Sequence, residues 1–367
     1  MDDTPALLCF SHLRWNFVYQ RPQHLLAQAV RTHRVFYIEE PEHHDGPSQY
    51  RMQFTTSGVT VLTPIIGHGS DAVVEQRSLL QGLYKMLGNA SITHWYYTPM
   101  AMAFAGDLPR DLCIYDCMDE LSHFAHAPAE LKQFERDLIA QADLVFTGGA
   151  SLYEAKRSLH RDTHCFPSSV DTRHFGKART AQADPADQAQ IARPRIGFFG
   201  VIDERMDLDL VALAARDMPD VQFMMLGPVV KIDPANLPQA ANLHWLGCKD
   251  YSELPAYMAH WQAAWMPFAL NDSTKFISPT KTPEFLAAGL RVTSTAVQDV
   301  VEGYGKRGLV AIADRDTIVA ALRDSLTPAS AELRRDVDAA LADMSWDRTW
   351  KAMQNLMLAK TRTTVRV

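Results

Sequence analysis

Short apolar runs alternate with amphipathic stretches along most of the chain. The runs are rich in β-branched and aromatic residues and each ends in turn or cap residues, as buried strands do. Apolar residues at helical spacing fill several of the gaps, for example at 22–31 and 129–142. In the first half the predicted strands are 6–10, 35–38, 59–62, 94–97, 112–115 and 144–147. Strands that are apolar on both faces and alternate with helices predict an α/β fold with a parallel sheet.

The pattern breaks once and then restarts. Residues 176–193 are rich in Ala, Gln, Asp and Lys/Arg and poor in bulky apolar groups, which is typical of a linker. After Pro194 the predicted strands are 195–200, 221–226, 243–246, 263–268, 291–295 and 309–313. We therefore predict a first domain at 1–175, a linker at 176–193, a second domain at 194–344 and a C-terminal helix at 345–367 that returns to the first domain.

Two doubly wound, Rossmann-like domains of this kind are expected to face a central cleft. Open α/β sheets bind ligands at the carboxyl ends of their strands, so the functional residues should follow strands on both sides of that cleft. A linker with little apolar content predicts relative domain motion. It also predicts that residues 181–190 tolerate substitution.

Charge and cysteine content narrow the function classes. The 367 residues include 36 Lys and Arg against 43 Asp and Glu, a net charge of −7, so a nucleic-acid partner is not expected. Five cysteines without a CxxC pair argue against a zinc ribbon or a disulfide scaffold, and predict a reducing cytoplasm.

No apolar stretch approaches the roughly 20 residues of a membrane span, and the start of the chain does not resemble a signal peptide. We therefore expect a cytoplasmic protein whose membrane contact, at the inner face, is peripheral. Basic residues near the end predict a weak, salt-sensitive attraction to an anionic leaflet. The alternative is a solvated tail on a helix that packs on the first domain. These residues are Arg348, Lys351, Lys360, Arg362 and Arg366, against the single acid Asp347.

The segment 279–289, PTKTPEFLAAG, is the most informative in the second half. Pro283 and Glu284 are expected to begin a helix, with Lys281 before it and Gly289 at its end. A helix start beside a lysine suits a phosphate, and Glu284 could accept hydrogen bonds from ribose hydroxyls. The alternative is that Glu284 only complements the helix dipole and Lys281 is solvated.

A second loop, 201–205, follows the strand that ends at Gly200. The planar fork of Arg205 could bind a diphosphate, or it could pair with Asp203 or Glu204. Together with Lys281 it would neutralise a leaving nucleoside diphosphate without a metal ion.

No cofactor or metal site is expected. The DxD sequences at 207–209 and 314–316 are predicted helix caps rather than metal ligands, and no GxGxxG fingerprint occurs.

In the first half, polar and aromatic residues follow two predicted strands. Arg14, Trp15, Gln20 and Arg21 are candidate ligand contacts, although Trp15 and Phe17 could instead form an anchoring hydrophobic cluster.

Asp116 and Asp119 follow the fifth predicted strand. Acidic groups at a strand end can act as a general base or orient an acceptor hydroxyl, and Asp119 is the preferred candidate. The alternative is that Asp119 only caps the next helix.

Several of these segments resemble the GT-B glycosyltransferases. In the second half they are Gly227-Pro228, Leu246-Gly247, Met266-Pro267-Phe268 and PTKTPEFLAAG. In the first half, FPSSVD at 166–171 followed by His174-Phe175 resembles the segment that ends the N-terminal domain of the retaining enzymes. The sequences HLRWNFVYQRPQHLL and YDCMDELS are similar to those of bacterial cell-surface polysaccharide transferases, of the teichuronic acid or exopolysaccharide type.

The resemblance implies an enzyme of the hexosyltransferase type. It would move a sugar from a nucleoside-diphosphate sugar to a saccharide or lipid-linked hydroxyl, with retention and without a metal ion. Glu284 matches the last glutamate of the family's E-x7-E motif, which contacts the ribose. Phe276 stands where the first glutamate would be, and Asp272 is expected to supply the missing carboxylate. Arg205 and Lys281 map to the cationic pair on the diphosphate, and Gly200, Pro279 and Thr280 to further donor contacts.

Two other functions fit the same fold. One is a nucleotide-sugar epimerase, which needs its own acid and base groups beside the sugar. The other is a non-catalytic subunit that binds nucleotide or saccharide, which Phe276 in place of glutamate suggests.

Overall fold

Two units of the chain each contain one sheet. The computed structural model describes residues 4–124 and 127–364, with side chains in the last helix as far as residue 361. Unit 1 comprises Met1–Ser122, His126–Pro167 and Trp346–Val367, and unit 2 comprises His123–Ala125 and Ser168–Ser345. Among the described residues no helix is both long and apolar enough to cross a membrane.

Unit 1 is built on a nine-stranded sheet in the order β3-β5-β2-β1-β6-β7-β8-β9, with β4 antiparallel to β5 and the other pairs parallel. All five residues of β1 are buried, which explains its unbroken apolar sequence. The strands are β1 (Ala6–Phe10), β2 (Arg34–Ile38), β3 (Glu42–His44), β4 (Gln49–Phe54), β5 (Thr60–Gly67), β6 (Ile92–Tyr96), β7 (Leu112–Cys117), β8 (Leu144–Thr147) and β9 (Thr163–Cys165).

Helices connect these strands as a parallel sheet requires. They are α1 (Arg21–Ala29), α2 (Ala72–Leu87), α3 (Met102–Ala105), α4 (Leu131–Gln141) and α5 (Ala150–Lys156), and the last helix of the chain, α14 (Trp346–Thr364), also belongs to unit 1.

The apolar face of α14 packs into the core of unit 1. Trp346, Trp350, Met353 and Met357 are buried there among residues of β1, β2, β6 and α1. On its polar side Lys360 pairs with Asp162. Of the predicted basic tail, the side chain of Arg362 and the whole of Arg366 lie outside the described residues.

Unit 2 contains a six-stranded parallel sheet in the order β12-β11-β10-β13-β14-β15. The strands are β10 (Arg195–Phe199), β11 (Gln222–Leu226), β12 (Leu243–Gly247), β13 (Ala263–Met266), β14 (Arg291–Ser294) and β15 (Ala311–Ile312). The helices are α6 (Thr172–Gly176), α7 (Ala186–Ala189), α8 (Leu208–Asp217), α9 (Leu254–Met258), α10 (Lys281–Ala287), α11 (Gln298–Gly303), α12 (Ile318–Ser325) and α13 (Ala331–Leu341). Alternate residues of β13 belong to two separate apolar clusters. Ala264 and Met266 are in one cluster, and Ala263 and Trp265 are in the other.

The predicted linker is wrong, because residues 176–193 pack on unit 2. The amide of Gln188 is fully buried: its Nε2 donates to the Tyr257 carbonyl and its Oε1 accepts from Trp261 Nε1, both at 3.1 Å. Asp184 accepts from Arg195 Nη1 at 2.8 Å. Polar contacts hold this segment to the rest of unit 2, so its low content of bulky apolar residues does not indicate a linker. Residues 168–175, which were predicted for the first domain, also belong to unit 2, where Phe175 is in the core.

Gln188→Ala should destabilise unit 2 although it lies in the segment predicted to be tolerant. The change leaves the buried indole N–H of Trp261 without an acceptor, while the Tyr257 carbonyl keeps the His260 N–H, and an unpartnered buried donor costs about 1–3 kcal/mol of unfolding free energy. Urea unfolding measures the effect. The matched control is Gln190→Ala, because Gln190 is exposed, and we expect a change within about 0.5 kcal/mol. Equal effects of the two substitutions would contradict the packing described above.

Candidate functional site

The carboxyl edge of the unit 2 sheet is lined by glycines. Gly200 follows β10 and Gly227 follows β11, with φ of 149° and 145°. A Cβ on Gly227 would lie 1.7 Å from the carbonyl oxygen of Gly200, so no side chain fits there. The backbone N–H of Gly227 donates to the Gly247 carbonyl at 2.8 Å, which ties the ends of β11 and β12 together. This edge therefore offers bare backbone at the point where parallel α/β sheets bind ligands.

Lys281 and Glu284 lie at the same edge. Helix α10 begins at Lys281, two residues earlier than predicted, and Lys281 Nζ is 3.2 Å from Glu284 Oε2. The ammonium group also lies 4.9 Å from the centre of the Phe199 ring, at the end of β10. The Cε of Lys281 is 3.5 Å from the position of a Cβ on Gly200. The structure thus brings together three of the predicted donor residues: Gly200, Lys281 and Glu284.

The Glu284 carboxylate is buried without full compensation. Its side chain is 5% exposed, and Oε2 accepts no hydrogen bond although it forms the ion pair with Lys281. Burial raises the pKa of the Glu284 carboxyl above its usual range, and the Lys281 ammonium offsets this only in part. The Lys281 ammonium is 3.2 Å from this oxygen but not aligned for a good hydrogen bond, so burial is compensated only in part and the oxygen is suited to accept a hydrogen bond from a ligand.

Arg205 forms the ion pair with Asp203 that the sequence left open. Arg205 Nη2 donates to Asp203 Oδ2 at 2.7 Å, and Nε donates to Oδ1 at 2.9 Å. The Asp203 carboxylate is 3% exposed and the Arg205 side chain 23% exposed. The acid fixes the orientation of the guanidinium, so Arg205 is not a freely solvated cation. Sequence reasoning named Asp203 only as an alternative partner and missed this orienting role.

The other predicted donor residues lie in the loops before α10. Asp272 is exposed at the start of a short 3-10 turn, whereas Phe276, Pro279 and Thr280 are half-buried. This loop is linked to the loop after β10, because the Ala269 N–H donates to the Arg205 carbonyl at 2.8 Å.

In unit 1, Arg21 and Asp116 form a buried pair. Arg21 Nη2 and Nε donate to the two Asp116 oxygens at 2.8 and 3.1 Å, and Nη1 donates to the Phe166 carbonyl at 2.6 Å. Both side chains are at most 3% exposed. The structure favours a structural role for both groups, because the pair joins α1, β7 and the chain after β9, and a ligand contact for either stays a prediction.

Arg14, Trp15 and Gln20 also have structural partners. Glu39, at the end of β2, accepts from the Trp15 N–H at 2.7 Å and from Arg14 Nη1 at 3.1 Å. The Trp15 ring packs edge-on against Tyr37, and Gln20 forms a capping box with Gln23 at the start of α1. The structure favours the anchoring interpretation for Trp15, whereas Phe17, the other residue of the expected cluster, is exposed. Glu39 was missed, although an acid directly after a strand was the available signal.

Asp119 is half-buried in the loop after β7. A buried cluster supports this loop: Lys156 Nζ lies 2.6 Å from Glu120 Oε2 and 2.7 Å from Glu135 Oε1. Sequence reasoning missed the cluster, because its members are far apart along the chain.

Asp207 caps α8 as predicted, whereas Asp314 forms a turn ahead of α12, whose N-cap is Thr317. Asp207 Oδ1 accepts from the Leu210 N–H at 2.8 Å at the start of α8, and Asp314 Oδ1 accepts from the Thr317 N–H at 3.0 Å. Within residues 4–124 and 127–364, no group of three or more His, Cys, Asp or Glu side chains is arranged to hold a metal ion.

Comparison with known proteins shows similarity to a bacterial protein named as a glycosyltransferase. No protein-family model matches it. It is 26% identical over 217 residues to a Bacillus subtilis (strain 168) protein named "Putative teichuronic acid biosynthesis glycosyltransferase TuaH". The match covers 55% of this chain and 54% of TuaH, about half of each protein. The predicted resemblance to transferases of the teichuronic acid type is confirmed.

Solved structures match over nearly the whole chain. Sucrose-phosphate synthase from Thermosynechococcus elongatus matches with a TM-score of 0.69 at 13% identity, over 97% of this chain and 98% of that one. The E. coli structure "Trehalose-6-phosphate from E. coli bound with UDP-2-fluoro glucose" matches with a TM-score of 0.70 at 13% identity, over 96% and 98%. The chain has a GT-B fold. At these identities the likeness concerns the fold, and the predicted fold class is confirmed.

Asp116→Ala should lower the stability of the fold rather than weaken the binding of a ligand. It leaves the Arg21 guanidinium buried without a counter-charge, which typically lowers the free energy of unfolding by about 3–5 kcal/mol. Thermal unfolding measures the loss. Asp107→Ala is the control, because it breaks an exposed arginine–aspartate pair, with Arg77, and should leave the midpoint almost unchanged. A stable Asp116→Ala protein would contradict the structural assignment.

Proposed function

We propose that the protein is a glycosyltransferase that takes a sugar from a nucleoside-diphosphate donor bound at the carboxyl edge of the unit 2 sheet. The observation that carries the proposal is the buried Glu284 carboxylate, whose Oε2 accepts no hydrogen bond, beside Lys281 and the bare backbone at Gly200. Ribose hydroxyls would supply the missing donors to Glu284, and a phosphate would attract Lys281. The similarity to TuaH and the UDP-2-fluoro glucose in the E. coli structure support this class of donor.

Stabilisation of the leaving diphosphate is assigned to two cations. As the bond between the sugar and the diphosphate breaks, negative charge builds on the phosphate oxygens, and preorganised cations stabilise it. Asp203 already orients Arg205, and Lys281 lies beside the glycine edge. We propose that these two groups replace a metal ion and that the sugar is transferred with retention, as the resemblance implies.

We assign the acceptor hydroxyl to unit 1, with Asp119 orienting or deprotonating it. A saccharide or lipid-linked acceptor for a cell-surface polysaccharide fits the name of TuaH. Unit 1 offers Asp119 on a loop that the Lys156 cluster holds, whereas Arg21 and Asp116 serve the core.

Glu284→Gln should weaken donor binding without weakening the ligand-free fold. Loss of hydrogen bonds to a charged acceptor costs about 1–3 kcal/mol, which is roughly five- to 150-fold in affinity. Calorimetric titration with UDP-glucose, and with the ADP and GDP analogues, measures it. Glu302→Gln is the control, because Glu302 is an exposed glutamate of unit 2 that pairs with Lys306.

The same variant has a predictable effect on stability. Folding raises the pKa of Glu284, so the stability that its protonation contributes is fully present below the ordinary pKa of 4.5 and is lost as the pH rises through the raised pKa of the folded state, above which the buried charge is a penalty. At pH 7 the neutral amide removes that penalty, and the midpoint of thermal unfolding should stay level or rise. Unchanged donor affinity, or a midpoint lowered by several degrees, would contradict the assignment of Glu284 to a ligand.

Transfer should continue in the presence of a chelator. If Arg205 and Lys281 neutralise the diphosphate, release of nucleoside diphosphate in the presence of an acceptor should proceed at the same rate with excess EDTA as without it. An absolute requirement for Mg²⁺ or Mn²⁺ would oppose the roles of both cations. Donor binding with no turnover on any saccharide acceptor would favour the non-catalytic subunit that Phe276 suggested.

A further inference from the structure

We propose that the outer edge of strand β4 is an interface with a second copy of this chain, in which the two β4 strands pair antiparallel about Met52. The proposal does not depend on the proposed function. It places a two-fold interface in unit 1, at the edge of the sheet opposite β9.

The first observation is an unprotected sheet edge. All six residues of β4 pair with β5, from Gln49 opposite Ile65 to Phe54 opposite Thr60. Within the described residues no strand pairs with the other side of β4. Natural proteins protect such edges with proline, with charged side chains, above all lysine, or with a bulge. The sequence QYRMQF contains no proline or lysine, its one charged side chain, Arg51, is already paired with Glu42, and its register with β5 is regular. Another strand would therefore meet no proline, bulge or unpaired charge on β4.

The second observation is an apolar row on the same strand. Alternation places Tyr50, Met52 and Phe54 on one face of β4. Met52 is 48% and Phe54 77% exposed, whereas Tyr50 is half-buried. Large apolar side chains beside an open edge are typical of a surface that another chain covers.

The opposite face is polar, and its charge is already neutralised. Both terminal nitrogens of Arg51 donate to Glu42, at 2.8 and 2.6 Å, and Gln53 Oε1 accepts from Asn16 Nδ2 at 2.9 Å. An anionic lipid surface or an acidic peptide would need an uncompensated cation here. A neutral strand fits this face better.

The side chains of β4 are compatible with those of a second, antiparallel β4. In an antiparallel pair with Met52 opposite Met52, each Tyr50 faces a Phe54 and each Arg51 faces a Gln53. Apolar groups then meet apolar groups, and the single charge of the strand meets a neutral amide rather than a second arginine. Such a two-fold contact closes on itself, so it produces a dimer and not a fibre. The occupant we infer is therefore a second copy.

Sedimentation equilibrium of the full chain tests the interface. The wild-type protein should have twice the chain mass of 41.1 kDa. Met52→Lys should raise the dimer dissociation constant at least tenfold, because a lysine blocks edge pairing. The matched control is Met86→Lys, at a methionine of α2 that is 70% exposed, and it should leave the dimer intact. A monomer at all concentrations, or equal masses for the two variants, would overturn the proposal.

Disulfide trapping tests the register. In a Cys248→Ser background, which removes the exposed cysteine, Met52→Cys should cross-link two chains, since directly opposite Cα atoms lie about 4.5–5.5 Å apart. Gln53→Cys should cross-link poorly, because its two copies would be offset by about 7 Å along the strands. Stronger cross-linking at position 53 would overturn the pairing. A membrane role for the apolar row would also overturn the proposal. In that case the wild-type protein would be a monomer that binds phosphatidylglycerol vesicles, and Phe54→Lys would abolish the binding.

Discussion

The ion pair between Lys281 and Glu284 is the contact on which the account of the site depends. It places two opposite charges at the carboxyl edge of the unit 2 sheet, but it leaves Glu284 Oε2 buried without a hydrogen bond. Burial raises the pKa of this carboxyl, so the ligand-free fold gains little from its charge. A group that costs stability where a ligand would satisfy it is typical of a binding site. The glycines at 200 and 227 leave the neighbouring backbone open.

Other charged groups at strand ends have a different role. Arg21 and Asp116 satisfy each other completely in the core of unit 1, and Glu39 holds the loop of Arg14 and Trp15. These contacts fix the loops but leave little capacity for a ligand. Arg205 is intermediate, because a buried acid orients it while part of its side chain stays exposed. Burial together with hydrogen-bond satisfaction therefore separates the structural charges from those that we assign to a ligand.

The sequence predicted the fold more reliably than the site. Unbroken apolar runs such as 6–10 and 144–147 coincide with β1 and β8, since burial on both faces leaves a direct trace in composition. The edge strand β4 was missed because the predicted strands rested on unbroken apolar runs, whereas QYRMQF alternates polar and apolar residues, as strands outside the core do. Gln188 was assigned to a linker because buried polar contacts have no compositional signature. The pairs at Arg21 and Lys156 join distant parts of the chain, so only the folded structure shows them.

A crystal structure of the protein with UDP-glucose would test the central claim most directly. We predict that the nucleotide lies against Gly200, that Lys281 Nζ leaves Glu284 to contact a phosphate oxygen, and that Glu284 Oε2 accepts a hydrogen bond from a ribose hydroxyl. A nucleotide bound elsewhere, or one bound here with the Lys281–Glu284 pair still at 3.2 Å and no ligand atom near Oε2, would contradict it.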